Sequence, residues 1–205
     1  MTQTAHAISL AGSVATVTEY LGFAINNVLY LRGVYPPEDF QQVKKYGLSL
    51  MISTDADLNA YLADLLQQIA SWIAQGACRR LVLLLTDVQS ERTLERWEIN
   101  IEAEPEAPTS SSSSRMHGGG RKSEEDVRSE IQAVMRQITA CVSFLPVLVQ
   151  PCAFDLLVYT SANAQVPSTA WEPSGPQVLK GSTKVKLRSF TTSYHHVDTN
   201  VAYRH

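Results

Sequence analysis

Three cysteines, Cys78, Cys141 and Cys152, and the adjacent pair His195-His196 are the residues whose types could carry chemistry, as a thiolate nucleophile or a metal site. A thiolate forms readily only in an electropositive, partly open setting. Cys141 falls in a helically spaced apolar seam, where a thiol packs as a small hydrophobe. Cys152 opens an apolar run, and nothing around either thiol supplies positive charge. Neighbouring histidines on a strand point to opposite faces, so His195 and His196 make a poor shared metal site. Gly118-Gly119-Gly120 lacks the preceding strand and the G-K-[ST] that turn glycines into a phosphate loop. No G-x-S-x-G elbow and no paired-cysteine metal motif occurs. The reading is therefore no catalytic residue, no metal and no cofactor, with a cysteine-dependent hydrolase or transferase as the enzymatic alternative. Trp171 stands apart among Pro167, Pro173 and Pro176. It either anchors a loop to the core or walls a ligand groove, and an aromatic anchor often does both.

The elements that must position these residues follow from periodicity. Val14, Val17, Leu21, Ile25 and Val28 recur at helical spacing, with Ser13 as the expected N-cap and Gly33 as the stop. Tyr35-Pro36-Pro37 breaks the chain, and Pro37 suits the first position of a short helical turn. Lys45 to Ser53 reads as one strand. Asp55 caps a second helix with the buried stripe Leu58, Leu62, Leu65, Ile69 and Trp72, ended by Gly76. A hairpin follows: the apolar run Leu81 to Leu85, a polar turn at Gln89 to Arg92, and a return strand. On that strand Trp97, Ile99, Ile101 and Ala103 share one face, and Arg96, Glu98, Asn100 and Glu102 the other. The alternation predicts one covered and one wet face of an antiparallel sheet. Pro105 to Lys122 reads as a flexible low-complexity loop.

Ser123-Glu124-Glu125-Asp126 opens a third helix as a capping box. Its seam is Val127, Ile131, Val134, Ile138, Cys141 and Leu145, and Pro146 stops it. Val142 and Phe144 add apolar surface, which predicts burial on more than one side. Cys152 to Thr160 is a further strand, and Ala162 to Pro176 is irregular. Lys184 to Arg204 holds two β-rich runs, with a bulge expected between Leu187 and Phe190 and a turn at Asp198-Thr199-Asn200. Three helices and an antiparallel sheet make an α+β layered domain.

Composition agrees with one domain of 205 residues: 44% apolar, 18% charged, net charge -3. A nucleic-acid binder would carry a basic excess, and the basic cluster Arg115 to Lys122 lies in a Ser/Gly tract. Met1 to Ala11 lacks the pattern of a signal peptide, and no stretch approaches the ~20 apolar residues of a membrane span. An odd number of cysteines in apolar surroundings predicts reduced core thiols of the cytosol or nucleus.

The segment from Phe23 to Pro36 resembles the first helix of the mitotic-arrest-deficient family of HORMA-domain proteins. So do Lys45-Tyr46-Gly47-Leu48, Leu94-Glu95-Arg96-Trp97, Arg136-Gln137-Ile138-Thr139-Ala140 and Phe144-Leu145-Pro146. Phe154 to Thr160, Trp171-Glu172, Ser174 to Gln177, Arg188-Ser189-Phe190-Thr191-Thr192 and Val201-Ala202-Tyr203 fit as well, in order along almost the whole chain.

The resemblance implies a HORMA fold: a core over about 11–160, and a mobile β-rich "safety belt" over about 161–205. It implies a spindle assembly checkpoint protein, a two-state open and closed switch that captures peptides as an added strand on Cys152 to Thr160. Implied peptide contacts are Leu156, Leu157, Trp171 and Tyr203. Arg136, Gln137 and Phe144 correspond to the family's self-association face, joining an open and a closed copy. Implied partners are a kinetochore coiled-coil protein of the mitotic-arrest-deficient group and the co-activator of the anaphase-promoting complex. A checkpoint-kinase-like scaffold and an AAA+ ATPase with a HORMA-like adaptor complete the set, in the nucleus, kinetochore and cytoplasm. The alternative is an accessory subunit of a translesion polymerase or a meiotic axis complex.

Overall fold

A computed structural model describes residues 8–104, 122–168 and 170–204. The loop expected at 105–122 lies, but for Lys122, outside the described residues. Helix α1 (Leu10–Leu31) starts one turn earlier than its spacing predicts, because Ser9 rather than Ser13 is the cap: its hydroxyl accepts from Gly12 N at 3.1 Å. Ser13 is buried inside the helix instead. A 3-10 turn at Pro37–Asp39 leads into strand β1 (Phe40–Lys45), which pairs with β2 (Leu48–Ser53). The strand read from Lys45 to Ser53 is present as β2, preceded by a turn, and β1 completes a hairpin with it. Tyr46 (φ 51°) and Gly47 (φ 71°) form its two-residue turn, both left-handed as the twist of paired strands demands.

Asp55 caps α2 (Ala56–Ala74), accepting from Leu58 N at 2.7 Å. Strand β3 (Cys78–Asp87) turns back into β4 (Thr93–Ala103). Ser123 caps α3 (Glu124–Ala140), and all six seam residues from Val127 to Leu145 are buried. Val142 and Phe144 do not extend that burial. The helix tightens to 3-10 geometry at Cys141–Ser143, and each of the two side chains stays 43% exposed.

Strand β5 spans Cys152–Thr160, and β6 (Thr183–Thr191) and β7 (His195–Tyr203) form the C-terminal hairpin. Its turn is at Thr192–Tyr194, not at Asp198-Thr199-Asn200. Thr192 Oγ1 accepts from Tyr194 N at 3.1 Å and His195 N at 2.8 Å, closing the chain there. Asp198 to Asn200 stay in mid-strand, paired with Glu98, Ile99 and Asn100 of β4. The expected bulge is present, as a register shift between Lys186 and Ser189.

The large sheet is wholly antiparallel, in the order β5-β3-β4-β7-β6, and the three helices cover one face. The other face is drier than the alternation on β4 predicts. Val82, Leu84, Glu98 and Ala202 are buried there, and Val178, Leu179, Ser182 and Lys184 lie beside Glu98 and Ala202. No helix of the described residues is long and apolar enough to cross a membrane.

Candidate functional site: an open sheet edge and the segment that wraps it

Strand β5 pairs with β3 on one side, from Cys78↔Thr160 to Asp87↔Cys152, and no strand pairs with its other side among the described residues. The outer edge therefore presents backbone donors and acceptors along nine residues, which is a template for one more strand. Leu156 points into the helical face opposite Leu83 and is buried. Leu157, opposite Val82, lies half-buried on the far face. Phe154 shares the helical side with an aromatic row that the sequence did not reveal: its ring centroid lies 6.1 Å from both Tyr35 and Tyr61. Tyr61 is 47% exposed on α2, so the row offers apolar surface beside the free edge.

The connection 161–182 starts at this edge and ends at the opposite edge of the sheet, where β6 lies. Ser161 N donates to Ala77 O, and Gln165 O accepts from Trp72 Nε1 at 3.0 Å. Trp171 stands edge-on to Trp72 with centroids 5.0 Å apart. Trp171 thus pins the connection to the core and remains half-exposed. The segment then passes to the far face, where Val178 and Leu179 lie near Arg80 and Arg96.

Tyr203 is elsewhere. It lies on β7, opposite Glu95 and three strands from β5, with its ring 6.3 Å from Phe144. Phe144 and the exposed Arg136 lie on and just after α3. Gln137 Oε1 accepts from Arg188 N at 2.5 Å, and Glu130 Oε2 accepts from Thr191 N at 3.0 Å, so α3 holds the outer strand of the hairpin. Arg32 and Glu95 support this corner from beneath. Arg32 Nε donates to both oxygens of Glu95, at 2.9 and 3.1 Å, and its Nη2 reaches Pro146 O at 2.5 Å.

The hairpin is also tied to α1 by polar contacts that periodicity does not report. Ser13 Oγ lies 2.7 Å from His195 Nδ1 and 2.6 Å from Thr192 Oγ1, and Tyr20 Oη lies 2.6 Å from Thr199 Oγ1. Burial holds His195 below the usual imidazole range, outweighing a hydrogen bond with the Ile73 carbonyl. The thiols move the other way. Burial pushes Cys78 up to about 12 and Cys141 up to about 11, and raises Cys152 as well. None has the depressed pKa of a nucleophile. Among the described residues, no cluster of histidine, cysteine or carboxylates could hold a metal ion.

A sheet of this order, with one open edge and a wrapping C-terminal segment, defines the HORMA class, and the HORMA domain model matches residues 13–196. The chain is 44% identical to the mitotic spindle assembly checkpoint protein MAD2A of Dictyostelium discoideum, covering 96% of this chain and 93% of that one. It is 43% identical to the Homo sapiens protein of the same name, with the same coverage. A chain in the crystal structure of a mitotic checkpoint complex superposes with a TM-score of 0.84 at 38% identity, covering 95% of this chain and 99% of that chain. The chain belongs to the HORMA family, among the MAD2 spindle assembly checkpoint proteins.

Proposed function

We propose that this spindle-checkpoint chain works as a peptide clasp: a guest strand adds to the outer edge of β5, and the belt, about 161–205, closes over it. The single observation that carries this reading is the unpaired edge of Cys152–Thr160 beside a segment that leaves it and wraps the sheet. Main-chain bonds to the edge supply affinity. Leu156, Leu157, the aromatic row and Trp171 select apolar side chains. Tyr203 contributes at a distance, by seating the hairpin whose docking on β4 leaves β5 free.

The described arrangement is the closed one of two. In the open one the hairpin occupies the β5 edge and excludes the guest, an exchange that needs two packings within a few kcal/mol. The guests are segments of the kinetochore coiled-coil partner and of the anaphase-promoting-complex co-activator, and holding the latter delays anaphase. Arg136, Gln137 and Phe144 form the face for an open copy of the same chain, and the checkpoint-kinase-like scaffold is a further partner. An AAA+ ATPase with a HORMA-like adaptor reopens the clasp. The working places are the nucleus, kinetochore and cytoplasm. The MAD2A likeness favours this over a translesion-polymerase or meiotic-axis subunit. The raised thiols speak against a cysteine enzyme.

The test is hydrogen exchange on the intact chain with and without a co-activator peptide. Alternate amides of residues 152–160 should become protected when the peptide binds. Binding that leaves those amides exchanging as before would remove strand addition from the account.

A further inference from the structure

The far face of the sheet concentrates positive charge around one carboxylate. Glu98 on β4 is 5% exposed and ion-pairs directly with Arg96. Arg80 Nη1 stands 3.6 Å and Lys184 Nζ 3.7 Å from the same carboxylate. Asp198 is on the same sheet face but does not line the cavity: it accepts from Asn100 Nδ2 at 3.1 Å, and Asn100 Oδ1 in turn accepts from Arg80 Nε at 2.6 Å, so it reaches Arg80 only through Asn100. Three cations and one carboxylate, Glu98, thus line the cavity itself. Arg96 Nε is buried and has no acceptor among the described residues. A cavity of about 340 Å³ opens between these groups, with Val178, Leu179 and Ala202 as its apolar walls.

A buried guanidinium N–H without an acceptor is costly, and the cost falls when an acceptor enters. Apolar walls beside same-sign charges focus the field on the space between them. Guanidinium forks match the oxygens of a phosphate, and an ammonium adds a point charge at the rim. Two cations in excess of Glu98 suit a dianion. We propose that this cavity binds a phosphate-type oxyanion between Arg80, Arg96 and Lys184. Residues 178–184 supply part of the wall, so the anion binds only while that segment lies on the sheet, and it stabilises that arrangement by mass action. The same oxyanion could arrive free or on a phosphorylated side chain.

The test uses the full chain at constant ionic strength, with inorganic phosphate and N-acetyl-phosphoserine amide as probes and chloride as the control. The readout is the Arg Nε–Hε resonances. Saturable shifts of the Arg96 signal, weakened about tenfold by Lys184→Gln or Arg80→Gln, are expected, one charge-assisted contact being lost in each variant. Both variants lie at exposed side chains, at 57% and 39%, and should fold as the parent does. Saturation by phosphate alone identifies the free ion, and saturation by phosphoserine identifies a modified peptide. Absence of saturation with both probes overturns the proposal, as does saturation that the two variants leave unchanged.

Discussion

Arg32 and Glu95 show how much one buried pair can hold. Their side chains are 6% and 1% exposed, and Trp97 Nε1 adds a third donor to the carboxylate at 3.1 Å. Arg32→Ala would strand Glu95 without its counter-ion and free the Pro146 carbonyl, at a cost of about 3–5 kcal/mol. Urea unfolding of the variant should read that loss. Trp171 acts through a single ring contact with Trp72, and an aromatic pair contributes about 0.5–1.5 kcal/mol beyond its area. Trp171→Ala should therefore speed release of a bound co-activator peptide by about tenfold, with little change in the association rate. Stopped-flow dissociation checks this, and an unchanged off-rate would leave Trp171 as a structural anchor only.

At the scale of elements, the outer strand of the hairpin is held by α3 as well as by β7. Gln137 accepts from the Arg188 amide inside the register shift, where β6 has lost regular pairing, and Glu130 accepts from the Thr191 amide at the end of the strand, opposite His196. Each such bond contributes about 1 kcal/mol net. The double variant Glu130→Ala, Gln137→Ala should raise exchange at those two amides by roughly fivefold per bond lost, while the amides of β3 keep their protection. Gln137 also belongs to the proposed self-association face. A substitution there would change hairpin docking together with any contact to a second copy.

For the whole molecule, His195 links the hairpin to α1 through Ser13 and to the end of α2 through the Ile73 carbonyl. Its pKa is lower in the folded chain than the ordinary value near 6.5, because burial penalises the imidazolium. The unfolded chain therefore binds more protons once pH falls below about 6.5, and folding stability drops from there downward. Above that value the imidazole is neutral in both states and contributes no slope. His195→Gln should flatten this part of the profile, measured as the urea midpoint between pH 7.5 and 5.5 against the parent chain. An identical slope in the two proteins would show that His195 does not titrate in the unfolding equilibrium.

The sequence by itself determined the three helices, strand β5 to the residue, the seam of α3 and the bulge in β6. Each rests on local periodicity or on a cap, which neighbouring residues suffice to write. It did not reveal β1, whose Gln41, Gln42, Lys44 and Lys45 leave little apolar alternation, nor the aromatic row of Tyr35, Tyr61 and Phe154. The Asp198-Thr199-Asn200 turn reading failed for a related reason: turn-forming residues can sit in mid-strand when remote partners satisfy them, as Tyr20 does for the buried Thr199 and Asn100 for the half-buried Asp198. Only the tertiary structure decided that the hairpin docks on β4. That choice is between two sheet edges, and it depends on contacts from α1 and α3 far away in the chain. The same choice leaves β5 open and closes the cationic cavity over Arg96, so the sites here are properties of the sheet order rather than of any local motif.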